Sequence, residues 1–327
     1  MSSTFEFILA VFVTLASGLM LVTRLERVGA RLGFTQAILG LVTALAANAP
    51  EITSAVTALA RGQREVGVGI VLGSNVFNLA ALLGLGALIG SRIELHRRVI
   101  LLIGGVSVWT AFVSLATVTE TFSIVVSLTL ALVVFLAYVF LSAWPHAPRR
   151  IGVPTRLRTW IREAIREEES EIATAIHPRR GDWRDALVAV FALGVVVFTS
   201  VVMEHTATTM GGRLGWSNII IGGVVLAAVT SLPNAVAAVY FARRAMGAAL
   251  FSEALNSNNL NAIVGFMIPA AIIGVRSGSF ADLKVAYFYA ILTVVSLAVA
   301  YAARGLTRAT GALIIVLYVV FVVVLAL

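Results

Sequence analysis

Apolar residues run along the chain in ten long stretches, with short polar segments between most of them. We place these stretches at residues 5–23, 34–60, 66–90, 99–118, 121–143, 185–203, 214–242, 248–275, 282–303 and 308–327. A helix needs about 20 apolar residues to cross the hydrocarbon core of a bilayer. The pattern therefore predicts ten transmembrane helices, and we expect the first to be a helix and not a cleaved signal.

Two segments of the chain have nearly the same sequence, 183 positions apart. The first contains Gly40, Pro50-Glu51 and Gly73-Ser-Asn-Val-Phe-Asn78, and the second contains Gly223, Pro233-Asn234 and Asn256-Ser-Asn-Asn-Leu-Asn261. Each half of the chain carries five predicted spans, so the second half would cross the membrane in the opposite sense to the first. The prediction is an all-α integral membrane protein with a 5+5 inverted repeat, made of residues 1–143 and 185–327.

Composition and charge agree with a membrane protein. Hydrophobic residues make up 60% of the 327 positions and charged residues only 12%, which excludes an ordinary soluble domain. Nineteen of the 24 Lys and Arg residues fall in alternate loops on one side, so we expect that side to be cytoplasmic and both termini to lie outside. The net charge of +8 then reflects topology and contact with lipid, and not nucleic-acid binding.

Arginine outnumbers lysine 23 to 1, which indicates a GC-rich genome and hence the plasma or inner membrane of a prokaryote. The chain contains no cysteine, so disulfides and thiolate metal sites are excluded.

Residues 144–184 form the only long polar segment between the two repeats. Apolar residues recur in it at helical spacing among Arg and Glu, which predicts an amphipathic linker helix on the inner membrane surface. A regulatory alternative is that its glutamates sense a cation; these are Glu167, Glu168, Glu169 and Glu171.

Only two of the sixteen acidic residues lie deep inside predicted spans, and they are Glu51 and Glu253. A charged side chain at the centre of a bilayer costs about 2.5 to 3.5 kcal/mol even on a lenient scale, so it usually marks a function. Glu51 directly follows Pro50, and Pro233 holds the matching position in the second repeat. Because proline in a helix frees a backbone carbonyl, we expect two broken helices that face each other across an oxygen-rich cavity.

A second set of polar residues follows one turn apart on the next span of each repeat. Ser74 and Asn78 share one helical face, and Ser257 and Asn261 repeat the pair, with Glu253 one turn before Ser257. A single such residue usually stabilises helix packing. The paired set beside two carboxylates is better explained as hard oxygen ligands for sodium, calcium or protons.

These segments resemble the alpha repeats of the sodium/calcium exchanger family, within the cation/calcium antiporter superfamily. Those repeats run approximately Gly-x-x-x-x-Ala-x-Gly-Thr-Ser-x-Pro-Glu, then Gly-Ser-Asn-x-x-Asn or Asp. The resemblance implies a central ion held by Glu51, Ser74, Asn78 and the Ala44 carbonyl from one repeat and by Thr230, Ser231, Ser257, Asn261 and the Ala227 carbonyl from the other. It also implies alternating access, with the first and sixth spans sliding across the other eight.

The chain departs from the family pattern at two places. Ala47 and Asn48 replace the first Thr-Ser pair, and Asn234 replaces the second Glu, so this site keeps one carboxylate. Calcium beside one carboxylate leaves a buried positive charge, which costs several kcal/mol unless Glu253 supplies a second negative charge.

The sequence thus predicts a cation antiporter and not an enzyme, with no cofactor and with calcium exchanged for sodium or protons. A sodium or potassium/proton antiporter is the alternative that the single carboxylate favours. A transport-inactive homologue is a further alternative, and the oligomeric state stays open.

Overall fold

The computed structural model describes residues 3–34, 36–90, 92–143, 154–175, 180–274 and 280–327. In the first half the helices are α1 Ser3–Leu32, α2 Gln36–Ala47, α3 Ala49–Ala60, α4 Arg64–Asn78, α5 Gly86–Gly90, α6 Arg97–Val118 and α7 Ile124–Ala143. Helix α8, Thr155–Ala175, lies between the halves. The second half contains α9 Trp183–Arg213, α10 Asn218–Ile220, α11 Ala227–Thr230, α12 Leu232–Arg243, α13 Gly247–Leu260, α14 Ile268–Ile273, α15 Phe280–Ala303 and α16 Arg308–Ala326.

Some of these helices are joined into longer rods by wider, π-helical turns. These turns are Leu79–Leu85, Ile221–Leu226 and Asn261–Met267. Seven rods in the described part are long and apolar enough to cross a membrane. Two bent helix pairs raise this number to nine if each pair counts as one span. The predicted stretch 248–275 corresponds to α13, a π-helical turn and α14, and it is rich in Asn and Ser.

Helices α1 and α9 are longer than predicted, at 30 and 31 residues, and they pack along each other. Thr14 Oγ1 donates a hydrogen bond to Thr199 Oγ1 at 2.7 Å. Arg24 and Arg27 of α1 contact the Asp185 carboxylate of α9 at 2.7 and 3.4 Å. Because Arg24 and Arg27 pair with Asp185, α1 continues past residue 23, where its apolar stretch ends.

The most enclosed rod is Arg64–Gly90, and it crosses the π-helical turn Ile221–Leu226 at glycines from both sides. A Cβ atom at Gly69 would lie 2.8 Å from the Gly223 nitrogen, and one at Gly73 would collide with the Gly223 backbone. The second repeat has Ser252 and Asn256 at the positions of Gly69 and Gly73. The close crossing therefore belongs to one repeat only, and it brings α4 directly against α11.

Two short strands, β1 Arg92–Glu94 and β2 Gly305–Thr307, pair antiparallel and tie the loop after α5 to the loop after α15. Gly305 has a φ of +143°, and a Cβ atom there would collide with the carbonyl oxygen of Ile93. This ribbon has no counterpart among the predicted elements, because three-residue strands carry no hydrophobic period.

Helix α8 packs against α6, α13 and α2. Its Ile161, Ala164 and Ile165 are buried, and Glu163 forms an ion pair with Arg98 of α6. The apolar face thus contacts protein, where the sequence predicted contact with the membrane surface. The side chains of Glu167, Glu168, Glu169 and Glu171, the proposed cation sensor, lie outside the described part of the structure.

The glycine crossing leads to the first prediction. Gly73→Ala should lower the free energy of unfolding by about 1 to 3 kcal/mol, because the added methyl group meets backbone that has nowhere to move. The matched control is Gly105→Ala in α6, where nothing lies within 4 Å of the new Cβ. Thermal melting in detergent measures both, and an equal melting temperature for the two variants would contradict the packing described.

Candidate ion-binding site

The site lies where two helices break in the middle of the fold. The helix Ile38–Ala47 bends by 53° into Ala49–Ala60, and Asn218–Thr230 bends by 45° into Leu232–Arg243. Asn48 and Ser231 stand at the two breaks, and Pro50 and Pro233 occupy the first turn of the following helix. Proline is tolerated there because its missing N–H would have no intrahelical partner in any residue.

The two breaks contact each other through repeat-related side chains. Ser231 Oγ donates to Glu51 Oε1 at 2.9 Å, and Asn234 Nδ2 donates to Asn48 Oδ1 at 3.2 Å. Asn48 and Ser231 occupy the same position of the repeat, as do Glu51 and Asn234. The second contact is therefore the counterpart of the first, with an amide pair in place of a hydroxyl and a carboxylate.

Asparagines of α4 and of the rod that starts with α13 form a second reciprocal set of contacts. Asn75 Nδ2 donates to the Asn258 carbonyl at 3.1 Å, and Asn258 Nδ2 donates to the Asn75 carbonyl at 3.0 Å. Asn78 Nδ2 reaches Asn258 Oδ1 at 3.1 Å, and Asn261 Nδ2 reaches Asn75 Oδ1 at 3.3 Å. Asn234 Nδ2 also donates to Asn78 Oδ1 at 3.1 Å, which links this network to the helix breaks.

Four side-chain oxygens of the site have no hydrogen-bond partner: Glu51 Oε2, Asn234 Oδ1, Ser257 Oγ and Asn261 Oδ1. All four residues are 0% exposed. A buried oxygen without a donor costs about 1 to 3 kcal/mol, and more if it is charged. A cation satisfies several such oxygens at once, so this arrangement fits a cation and not an anion.

Glu51 has no ion pair in the part of the chain that the structure describes. The other deeply buried acids differ, because Glu204 contacts Arg61 at 2.6 Å and Asp282 contacts Arg64 at 3.2 Å. No group of three or more His, Cys, Asp or Glu side chains gathers within the described ranges. The site therefore offers one carboxylate with neutral oxygens around it.

Apart from Glu253, the remaining residues that the sequence predicted for the site are also buried. Ser74 Oγ donates to the Ala227 carbonyl at 3.4 Å, and Thr230 Oγ1 donates to the Leu226 carbonyl at 2.8 Å. Asn48 Nδ2 donates to the Ser257 carbonyl at 3.2 Å. The Ala44 carbonyl accepts the Asn48 backbone N–H at 3.0 Å. The hydroxyl oxygens of Ser74 and Thr230 keep lone pairs that a cation can use.

Glu253 lies in the wall of a cavity of about 350 Å³ beside this cluster. The cavity runs along α12 from Pro233 and Asn234 to Tyr240 and Phe241, and Glu26 of α1 also lines it. No contact between Glu253 and Glu51 is present in the described structure. Sequence reasoning missed Glu26, because the predicted first span ended at residue 23 and left Glu26 in a loop.

Most of the chain is similar in sequence to one known protein family. The family described as sodium/calcium exchanger protein matches residues 2–145 and 186–327, which is more than half of the chain. A protein of Alkalimonas amylolytica described as the antiporter CaxA is 25% identical over 252 residues, covering 74% of this chain and 73% of its own.

Two solved structures are similar in fold. The H+/Ca2+ exchanger CAX superposes with a TM-score of 0.72 at 13% identity and covers 100% of this chain and 85% of that one. The sodium-calcium exchanger NCX_Mj has a TM-score of 0.60 at 17% identity and covers 97% of both chains.

The asparagine contacts lead to a prediction about Asn234→Asp. The new carboxylate loses the amide that donates to Asn48 and Asn78, so in buffer without divalent cations the melting temperature should fall by several degrees. With Ca2+ the same variant should gain more stability than the natural protein, because a second charge neutralises the ion. Thermal melting with and without Ca2+ measures both effects, and an unchanged melting temperature without Ca2+ would contradict the donor role.

Proposed function

Since this chain belongs to the sodium/calcium exchanger family and is a multi-pass membrane cation antiporter, we propose that it exchanges Ca2+ for Na+ or H+ at the site around Glu51. The observation that carries the proposal is the fully buried Glu51 carboxylate, which has no basic partner among the described residues and one free oxygen. Carboxylate, amide, hydroxyl and carbonyl oxygens are the ligands that Ca2+ and Na+ prefer.

The buried Glu51 carboxylate also explains why the protein would exchange one cation for another and not move a single cation in one direction. A bare carboxylate in a low-dielectric interior is costly, so the site resists crossing the membrane empty. Na+ or H+ neutralises Glu51 after Ca2+ has left, and either ion allows the return. Each cycle then couples the outward movement of one ion to the inward movement of the other.

We propose that access alternates by movement of α1 and α9 across the other helices. The cavity beside Asn234 extends along α12 to Tyr240 and Phe241, close to the end of that helix at Arg243. At the other end of the fold, Arg61 joins the end of α3 to Glu204 of α9. A one-sided opening of this kind is what alternating access requires of one state.

The reciprocal contacts of repeat-related residues support a 5+5 inverted repeat with proline-broken helices. Ten spans result if α13, its π-helical continuation and α14 are counted with the nine apolar spans. We propose residues 1–143 and 185–327 as the two repeat domains and residues 144–184 as a cytoplasmic linker.

The names of the solved relatives support calcium, since one is an H+/Ca2+ exchanger and the other a sodium-calcium exchanger. A Na+ or K+/H+ antiporter is the second candidate, because a monovalent ion beside Glu51 alone leaves no net charge. A transport-inactive homologue would bind neither ion, and no cation would then raise its melting temperature.

Flux through proteoliposomes tests the proposal with Glu51→Gln. Uptake of Ca2+ driven by a Na+ or pH gradient should fall by about 100-fold or more, since loss of a buried charge costs about 3 kcal/mol or more. The control is Glu65→Gln in the first turn of α4, away from the helix breaks. Calcium uptake that survives Glu51→Gln would rule out this site, and gradient-driven Na+ or K+ flux without Ca2+ flux would establish the second candidate.

The distribution of Lys and Arg between the loops suggests how the protein is oriented in the membrane. Because the chain contains no cysteine, single cysteines can be introduced to test this orientation. We propose that the protein lies in the plasma or inner membrane of a prokaryote with both termini outside. In intact cells a membrane-impermeant maleimide should label Ser3→Cys and leave Thr159→Cys of α8 unlabelled until the cells are broken. The reverse labelling would contradict the orientation.

A further inference from the structure

The cavity beside the central site is lined by two acids from different helices. Glu26 comes from α1 and Glu253 from α13, and both line the same space as Asn234. We infer that Glu26 and Glu253 form a second cation site, here named the capture site, which takes up a divalent cation before it reaches Glu51. This inference rests on the proposed function, because it concerns the approach to the same central site.

Neither acid is held by a basic residue in the described part of the chain. Glu26 stands between Arg24 and Arg27 in sequence, and the Arg27 charge acts on it at a distance, but both arginines form their ion pairs with Asp185. Other acids of the fold are paired, as Glu204 is with Arg61 and as Asp282 is with Arg64. Two carboxylates that share one cavity and lack such partners repel each other until a cation lies between them.

An independent observation at the inner end of the cavity also points to a cation. Asn234 lines the cavity, is 0% exposed and presents an Oδ1 atom without a hydrogen-bond donor. Its amide nitrogen is already committed to Asn48 and Asn78, so the carbonyl oxygen is the group left for a ligand. A cation leaving the two carboxylates therefore meets a free oxygen of the central site next.

The distances along the helices fit a transfer of this kind. Glu253 lies one turn before Ser257 on α13, which is about 6 Å along the axis. Two carboxylates carry a charge of −2, so Ca2+ leaves the capture site neutral, whereas Na+ leaves it with a negative charge. The chemistry therefore favours a divalent cation as its ligand.

Neither acid has an acidic counterpart in the other repeat. Glu253 corresponds to Ile70, which is 0% exposed, and Glu26 corresponds to Thr208. The capture site therefore exists on one side of the membrane only, the side on which Arg243 and Arg244 lie. It should lower the KM for Ca2+ on that side and leave the KM on the other side unchanged.

Calcium uptake by membrane vesicles that expose the Arg243 side tests this inference in the full chain. Glu26→Gln and Glu253→Gln should each raise the KM for Ca2+ by about 5-fold or more and change the maximal rate by less than about two-fold. The double variant should raise the KM less than the product of the single effects, since both side chains hold the same ion. Glu6→Gln, on α1 but outside the cavity, is the matched control and should change neither value.

Ca2+ binding to the Glu51→Gln variant distinguishes the capture site from the central site around Glu51. Added Ca2+ should still raise the melting temperature of Glu51→Gln, and the additional change Glu253→Gln should remove that rise. An unchanged KM in both single variants would overturn the capture site. If Glu51→Gln is then inactive, the proposed function stands without it.

A fall in maximal rate at constant KM for Glu253→Gln would also overturn the capture site, because Glu253 would then belong to the central site. Transport by Glu51→Gln would instead overturn the proposed function, and the Glu253-dependent melting shift would still decide the capture site.

Discussion

A fully buried carboxylate without a basic partner in the described structure is the constraint on which the rest of this fold depends. Glu51 lies between two broken helices, where one oxygen accepts the Ser231 hydroxyl and the other accepts nothing. The fold could have neutralised this charge with an arginine, as it does for Glu204 and Asp282. It surrounds Glu51 with neutral oxygens instead, and we propose that the transported ion supplies the positive charge that this carboxylate lacks.

The two repeats keep their geometry but not their charge. The contact between Ser231 and Glu51 is matched by the contact between Asn234 and Asn48, so both halves still meet at their helix breaks. Asn234 donates two hydrogen bonds, to Asn48 and Asn78, that an ionised carboxylate cannot donate. The amide therefore links these residues, in addition to removing the negative charge that a carboxylate would carry. The second repeat instead has Glu253 in the wall of the cavity, one turn before Ser257 on α13. We interpret this as a shift of negative charge from the centre of the site to its approach.

Much of this architecture could be predicted from the sequence, because apolar stretches and the repeated Pro50 and Pro233 are local patterns. The faces of α4 and α13 could also be predicted, since Ser74 and Asn78 lie four residues apart. The position of Glu26 could not, because hydropathy ends a span at its charges and Arg24 and Arg27 find their partner 158 or more residues away. The contacts of α8 with α6 and α13 likewise depend on packing that a single helix does not encode.

The most direct test of the central claim is to locate the ion itself. Crystals grown with Ca2+ and measured at long wavelength should show an anomalous peak about 2.3 to 2.6 Å from Glu51 Oε2, with oxygens of Asn234, Ser257 and Asn261 among its neighbours. Occupancy should fall when Na+ replaces Ca2+ or when the pH is lowered. A Ca2+-saturated crystal with no peak beside Glu51, or with a peak only elsewhere, would contradict the account.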